Sequence, residues 1–319
     1  MRILITGVSG FIGSALATAL VRRGHEVLSC THRHINSQNS IAVVDYMRDV
    51  TEAAWLPRLQ GVDAVINAVG ILRETVHARF EPLHHRAPAA LFRACRSAGV
   101  RRVIQISALG ADEQASSAYH LSKKAADDAL RALDLNWTIL QPSVVFGPGG
   151  ASTGLFLHLA SLPIIPLIGR GDQCMQPIHI DDLTALVVKL IEEQKSLRQT
   201  IQAVGPEAVT LRQMLLSYRQ GLGLGKTIFL ATPLALIRLG AKFGDVMQSG
   251  ALSTETLNML LRGNTGDAAA VTSLLGRPPR ALQNFIPPTE SRQLRADAVL
   301  QWLRPMLLTS IALMWISAG

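Results

Sequence analysis

The sequence predicts an α/β protein: a doubly wound parallel sheet with a smaller, mainly helical lobe toward the C-terminus. Three observations predict it. Over the first two thirds of the 319 residues, short uninterrupted apolar runs alternate with helix-period segments. Strands apolar on both faces belong to parallel sheets covered by helices. A glycine-rich turn joins the first apolar run to the first helix. After Gly147-Pro148-Gly149-Gly150 the alternation stops, and residues 208 to 290 read mainly as helix.

Taken in order, Ile3–Ile5 is the first strand and Phe11–Arg23 the first helix, ended by Gly24. Val27–Thr31 and Ile41–Val44 are the second and third strands, Ala64–Asn67 the fourth and Val103–Ser107 the fifth. A helix over Ala87–Ala98 connects the last two. Ser117–Leu133 is helical, and Thr138–Gln141 is a sixth strand. Leu155–Ile168 is apolar but broken by Pro163 and Pro166. A helix starting at Asp181-Asp182 and a strand near Ile201–Val204 rejoin the sheet. The nucleotide-binding part is expected over 1–150 plus about 179–205, the substrate lobe over 151–178 and 206–292, and an apolar tail over 293–319.

Composition narrows the function classes. With 48% hydrophobic and 17% charged residues, the chain can build a large core and is not a disordered one. The net charge is +8, but Lys and Arg are scattered and aromatics reach only 5%, which argues against nucleic acid and for an anionic small molecule or membrane surface. Cys30, Cys95 and Cys174 match no metal spacing, and His77, His84 and His85 lack further ligands, so no metal is expected. An odd cysteine count and the lack of a signal peptide point to a cytoplasmic chain with reduced thiols.

Gly7-Val8-Ser9-Gly10-Phe11-Ile12-Gly13 carries the clearest chemistry. Gly7 permits a tight turn, Gly10 lets backbone approach a pyrophosphate, and Gly13 lets helix and strand pack closely. The helix N-terminus offers unpaired N–H groups and partial positive charge to phosphates. Further along, Tyr119 and Lys123 lie four apart, on one face of a helix. A phenol near pKa 10 is a poor base at neutral pH, and a neighbouring ammonium stabilises the phenolate. Tyr119 would exchange a proton with a carbonyl or hydroxyl oxygen, with Ser107 bonding the same oxygen.

The segment Thr6–Gly13 resembles the nucleotide fingerprint of the extended and atypical short-chain dehydrogenase/reductases. Tyr119-His120-Leu121-Ser122-Lys123 resembles their Tyr-x-x-x-Lys motif, and Ser107, 12 residues before Tyr119, resembles their active-site serine. Asn67-Ala68-Val69-Gly70 resembles a cofactor-contacting segment, and Gln141–Pro148, with Pro142, Ser143 and Val144, the segment bordering the nicotinamide. Gln176–Asp182 is similar to a motif of the subgroup containing the nucleotide-binding accessory subunit of respiratory complex I. The resemblance covers about residues 1–205 and implies a Rossmann fold. It further implies an NAD(P)-dependent oxidoreductase, epimerase or dehydratase using Ser107, Tyr119 and Lys123, with Lys123 also holding ribose hydroxyls. Gly7, Ser9, Gly10, Phe11 and Ile12 would line the pyrophosphate.

Cofactor choice turns on the end of the second strand. An acid there favours NAD; this chain has Thr31-His32-Arg33-His34, so His32 or Arg33 facing a 2′-phosphate makes NADP the expectation, with NAD the alternative. Asp45 either contacts the adenine amine or closes a turn. His84 occupies a position where similar proteins often carry Asn. Asp181 and Asp182 are expected as an N-cap and a first-turn acid, and His179 as a core or loop residue rather than a cleft residue.

A small-molecule substrate is expected between the sheet and the lobe, and the apolar Leu155–Ile168 stretch suggests a hydrophobic one. The alternative is a non-catalytic NAD(P)-binding subunit of a membrane complex. Pro305–Gly319 carries no charge. It is short of the ~20 residues that cross a bilayer, so it reads either as a helix packed on the lobe or as the start of a membrane segment with Arg304 at the surface. Trp302-Leu303-Arg304-Pro305 onward resembles the start of a DoxX-like membrane domain, which implies membrane association through the tail.

Overall fold

A computed structural model describes residues 1–31, 41–193, 198–247 and 254–318. Along the chain the elements are β1 (Arg2–Thr6), α1 (Phe11–Arg22), β2 (Glu26–Thr31), β3 (Ile41–Val43), α2 (Glu52–Trp55), β4 (Ala64–Asn67), α3 (Ala87–Ser97), β5 (Arg102–Ile106), α4 (Ala118–Arg131), β6 (Trp137–Pro142), β7 (Val145–Phe146), α5 (Ala151–Ser161) and β8 (Ile164–Ile168). There follow β9 (Cys174–Met175), β10 (Ile178–His179), α6 (Ile180–Glu192), β11 (Gln199–Ala203), β12 (Val209–Thr210), α7 (Leu211–Gly221), β13 (Ile228–Thr232), α8 (Leu234–Met247), α9 (Thr254–Arg262), α10 (Ala269–Leu275) and α11 (Pro288–Ala318).

The chain divides into two compact units. The first comprises Met1–Ser143, Ile180–Val204 and Gly266–Pro279. Its sheet has seven strands in the order β11-β6-β5-β4-β1-β2-β3, every neighbouring pair parallel. Strands β1, β4 and β5 are apolar on both faces because helices cover both; Ile3, Leu4, Ile5, Val65, Ile66 and Ile104 are fully buried. Strand order reverses beside β1: the chain runs outward to β3, then returns to β4 on the other flank. The carboxyl ends at such a switch point open a crevice for ligands, and Thr6 and Asn67 end the two strands that flank it.

Helix α1 lays Gly13, Leu16 and Leu20 on the sheet. Helix α4 starts at Ser117, whose hydroxyl accepts the His120 N–H. Its buried face is unusually polar, holding Tyr119, His120, Lys123 and Asp127 besides Ala126 and Leu130. Asp181 and Asp182 sit in the first turn of α6, and Asp182, buried, pairs with Arg277 at 2.6 Å. Gly266–Pro279, assigned from sequence to the lobe, packs with this first unit.

The second unit comprises Val144–His179, Gly205–Thr265 and Arg280–Gly319. It is mainly helical with three two-stranded pieces, β7–β10, β8–β13 and β9–β12. Phe146, Phe156, Leu157, Ile165, Leu167, Met214, Tyr218 and Phe285 form its core. The Leu155–Ile168 stretch therefore supplies that core, and Pro166 is tolerated inside β8 because a two-stranded sheet leaves each strand an open edge. His179 is a core residue, its ring 5.7 Å from Phe146 and 5.3 Å from Phe285. The first half of α11 packs on the unit, with Ala298 buried and its carbonyl accepting the Ser161 hydroxyl. From Arg304 to Trp315 the described side chains are exposed, so they are not packed on the lobe. Among the described residues no helix is long and apolar enough to cross a membrane.

Candidate functional site

The glycine turn between β1 and α1 is built around missing side chains. Gly7 has φ +75°, and a Cβ on it would lie 2.7 Å from Ala68 O. A Cβ on Gly13 would lie 2.1 Å from Gly7 O. Gly10 N–H donates to Gly7 O at 2.9 Å, and Gly10, extended at the N-cap of α1, supplies no side-chain cap. The first-turn N–H groups thus face outward at the positive end of the helix dipole. Such outward-facing N–H groups suit a pyrophosphate, and a methyl at Gly7 or Gly13 would collide with backbone in or beside the turn. Ser9 and Gly10 are exposed on it, with Phe11 and Ile12 half-buried.

The neighbouring strand end is tied by a buried polar network. Asn67 Oδ1 accepts from Thr6 Oγ1 at 2.6 Å and from Tyr46 Oη at 2.8 Å, while Asn67 Nδ2 donates to Gln105 Oε1 at 2.7 Å. The Asn67 side chain therefore clamps β1, β4 and β5 together, leaving the backbone of Ala68–Gly70 to face the crevice. Asp45, in the turn after β3, accepts the Met47 N–H at 2.9 Å and pairs with Arg48 at 3.5 Å. His32 and Arg33 lie outside the described residues. Ser143 N–H donates to Ala203 O, tying the end of β6 to β11, and in the second unit Val144 N–H donates to Asn264 Oδ1 at 2.8 Å.

Helix α4 brings Tyr119, Lys123 and Asp127 into one stripe at successive turns. Lys123 Nζ donates to Val69 O at 3.1 Å and Ile106 O at 3.2 Å, the carbonyls that follow β4 and end β5. A Cβ on Gly70 would come within 3.1 Å of that nitrogen. Burial holds the ammonium down to about 8, opposed by the Asp127 carboxylate. Burial also pushes Asp127 up to about 6, against the hydrogen bond from Ser107 and the charges of Lys123 and Arg131. Ser107 follows β5 and its hydroxyl donates to Asp127 Oδ2 at 2.6 Å, while Asp127 Oδ1 is buried with no hydrogen-bond partner among the described residues.

His84 completes the arrangement from a π-helical turn, Glu81–Arg86, a wound-out geometry that recurs at functional sites. Its Nε2 accepts the Ile71 N–H at 3.0 Å, so Nδ1 carries the proton and donates to Ser122 Oγ at 2.9 Å. Ser122 passes its own hydrogen to Tyr119 O at 2.7 Å. Burial and the Lys123 charge hold His84 down to about 2, so it stays neutral. Its ring stands edge-on to Tyr119 at 5.6 Å and stacks on Phe80 at 5.1 Å. His84 thus positions the Tyr119 turn of α4 and the loop after Gly70.

The structure brings Ser107, Tyr119, Lys123, Gly70 and Val69 together beside the glycine turn. It adds Asp127 and Ser122, which sequence reasoning passed over; Asp127 was signalled by its place one further turn along the Tyr119–Lys123 face. Chemically, Tyr119 is a phenol near a buried ammonium, and Ser107 is a hydroxyl whose hydrogen is committed to a carboxylate.

Residues 3–205 match the family model described as NAD dependent epimerase/dehydratase family. The chain is 30% identical over 190 residues to ceramide reductase of Caulobacter vibrioides, covering 58% of this chain and 59% of that protein. It is 26% identical over 221 residues to the mitochondrial NADH dehydrogenase (ubiquinone) 1 alpha subcomplex subunit 9 of Arabidopsis thaliana, covering 66% of this chain and 55% of that protein. It thus spans less than two thirds of either relative's length. Among solved structures it shares the fold of UDP-glucuronic acid 4-epimerase from Bacillus cereus in complex with UDP-glucuronic acid and NAD, at TM-score 0.67 and 20% identity over 92% of this chain and 100% of that one. A nucleoside-diphosphate-sugar epimerase from Staphylococcus aureus is similar at TM-score 0.71 and 15% identity, over 90% of this chain and 99% of that one. The glycine cradle, the Tyr119–Lys123 stripe and a family match over most of the first unit converge: the chain belongs to the NAD dependent epimerase/dehydratase family.

Proposed function

We propose that the chain is a nicotinamide-dependent oxidoreductase, with Tyr119 as the proton-exchanging group at a substrate carbonyl or hydroxyl oxygen. The observation that carries this reading is the Lys123 ammonium, held between Val69 O and Ile106 O one helical turn from Tyr119. The cofactor, cupped by the turn from Gly7 to Gly13, supplies hydride donation or acceptance when bound. Lys123 stabilises the Tyr119 phenolate by its charge and is placed to donate to ribose hydroxyls. Ser107 orients the substrate oxygen. While Asp127 is ionised, Ser107 gives its only hydrogen to the carboxylate and meets a substrate as an acceptor, which suits a hydroxyl. Once Asp127 is protonated, the bond reverses and the Ser107 hydrogen is free for a carbonyl oxygen.

For the cofactor we favour NADP over NAD, on the basic His32-Arg33 pair after β2 and the lack of an acid there. For the substrate we favour a carbonyl or hydroxyl compound bearing an alkyl chain. Leu155–Ile168 no longer supports that choice, since Phe156, Leu157, Ile165 and Leu167 are core and Ile164 faces solvent. The support is that two relatives are named for such substrates: ceramide reductase, and 2-alkyl-3-oxoalkanoate reductase of Stenotrophomonas maltophilia, 26% identical over 208 residues. Stopped-flow oxidation of NADPH and NADH with long-chain 3-oxo compounds, in the unaltered chain and in Tyr119→Phe, tests this reading. Substrate-dependent oxidation that Tyr119→Phe abolishes supports it; oxidation that survives the substitution refutes it.

The second reading is a non-catalytic dinucleotide-binding subunit of a membrane complex. It is favoured by the similarity to the complex subunit and by the uncharged, exposed helix end after Arg304. Tight NADPH binding without turnover on any carbonyl would select it.

A further inference from the structure

The second unit exposes apolar side chains where such elements normally bury them. Strands β8 and β13 pair in parallel, with Ile228 opposite Ile164 and Leu230 opposite Pro166. One face of this pair, carrying Ile165, Leu167 and Phe229, packs on the unit's core. The other presents Ile164, Ile228 and Leu230 to solvent, Ile228 at 67% exposure. Parallel strands are ordinarily covered on both faces. Helix α8 continues directly from β13 and adds exposed Leu236 and Leu239.

Along the segment that carries β13 and the start of α8 the charge has one sign. Residues 208–244 contain Arg212, Arg219, Lys226, Arg238 and Lys242 and no acidic residue. Lys226, Arg238 and Lys242 are exposed among the apolar side chains. The end of α11 is a second such feature. Met306, Leu307, Leu308, Ile311, Met314 and Trp315 are exposed around the helix, with Arg304 just before them. Two of its hydroxyls bond back to the helix: Thr309 Oγ1 donates to Pro305 O at 2.8 Å and Ser310 Oγ to Met306 O at 2.9 Å. That back-bonding lets a helix enter hydrocarbon without orphaned donors.

We propose that the second unit docks on an anionic lipid surface through the exposed face of β8 and β13, the start of α8 and the apolar end of α11. Interleaved basic and apolar side chains are the composition that seats a surface in the headgroup region. A helix apolar on all sides is covered by an enclosing medium, not by one flat partner. Residues 305–318 make a rod of about 21 Å at about 1.5 Å per residue, long enough to reach into a hydrocarbon core of about 30 Å. A second copy fits poorly, because two surfaces of the same positive sign would face each other.

The test is vesicle flotation of the full chain with phosphatidylglycerol/phosphatidylcholine vesicles and with phosphatidylcholine alone, at low and high salt. The chain is expected to float with the anionic vesicles at least tenfold more than with the neutral ones, and less at high salt. Ile228→Glu/Leu230→Glu and Lys226→Glu/Arg238→Glu should each lower partition at least tenfold, with melting temperature and NADPH affinity unchanged. Trp315 emission should move to the blue with anionic vesicles, the change being absent in Trp315→Phe. Three results would overturn the proposal: no flotation, equal flotation with neutral vesicles, or flotation indifferent to both double variants. A concentration-dependent dimer that these variants break would overturn it too, by assigning the face to a second copy.

Discussion

Gly13→Ala tests the cofactor cradle with one methyl group. The added Cβ would stand 2.1 Å from Gly7 O, 2.6 Å from Gly7 C and 3.0 Å from Val8 N. Non-bonded contacts to carbon settle near about 3.5 Å, so the turn and helix must part by roughly 1.4 Å. All three obstacles are backbone, so no side chain can rotate away. The turn cannot retreat either, since Gly7 is already pressed against Ala68 O. The displacement therefore falls on α1, at about 1–3 kcal/mol of stability. The same movement re-aims the first-turn N–H groups. A hydrogen bond to a charged group contributes about 1.5–3 kcal/mol, so losing one weakens binding by about 10- to 150-fold. Calorimetric titration with NADH and NADPH at 25 °C, on protein shown to be folded, reads this directly. Gly154→Ala is the control, because a Cβ there meets nothing within 4 Å. If Gly13→Ala binds both dinucleotides within threefold of the unaltered chain, the cradle is not where the pyrophosphate sits.

Three further outcomes follow from the site. Tyr119→Phe should leave dinucleotide affinity unchanged while turnover falls by about 100-fold or more, the usual contribution of a positioned acid–base group; a comparable loss of affinity would show the residue to be structural. Asp127→Asn removes the charge that raises Lys123, so Lys123 should titrate below its present value of about 8, and the alkaline limb of the pH–rate profile should move to lower pH; a change in amplitude with no change in the limb's position would contradict the coupling. Arg277→Ala removes one partner of the buried Asp182 carboxylate, and Arg277 is itself half-exposed, so the loss should fall between the surface and buried ion-pair limits, about 1–4 kcal/mol, read as a lower denaturant midpoint with dinucleotide affinity intact.

Much of the first unit was legible because its signals are local. The glycine spacing encodes a turn that only glycine can make. The apolar runs encode strands covered on both sides, and Tyr119 and Lys123 share a face because a helix repeats every 3.6 residues. The second unit was read less well. The prolines that break the apolar Leu155–Ile168 stretch argue against a strand unless its edge is open, and the openness of β8 depends on its partner β13, more than sixty residues away.

The sequence by itself determined the sheet class, the glycine turn and the Tyr119–Lys123 pair, since each is a short-range consequence of residue type and spacing. Only the tertiary structure decided how those groups are engaged: that Ser107 donates to Asp127, that Asn67 clamps three strands, and that His84 is a neutral strut. It also decided that an apolar sheet face stands open in the second unit. Hydrogen-bond partners and solvent access are set by elements distant in the chain, and no local pattern records which of them arrive.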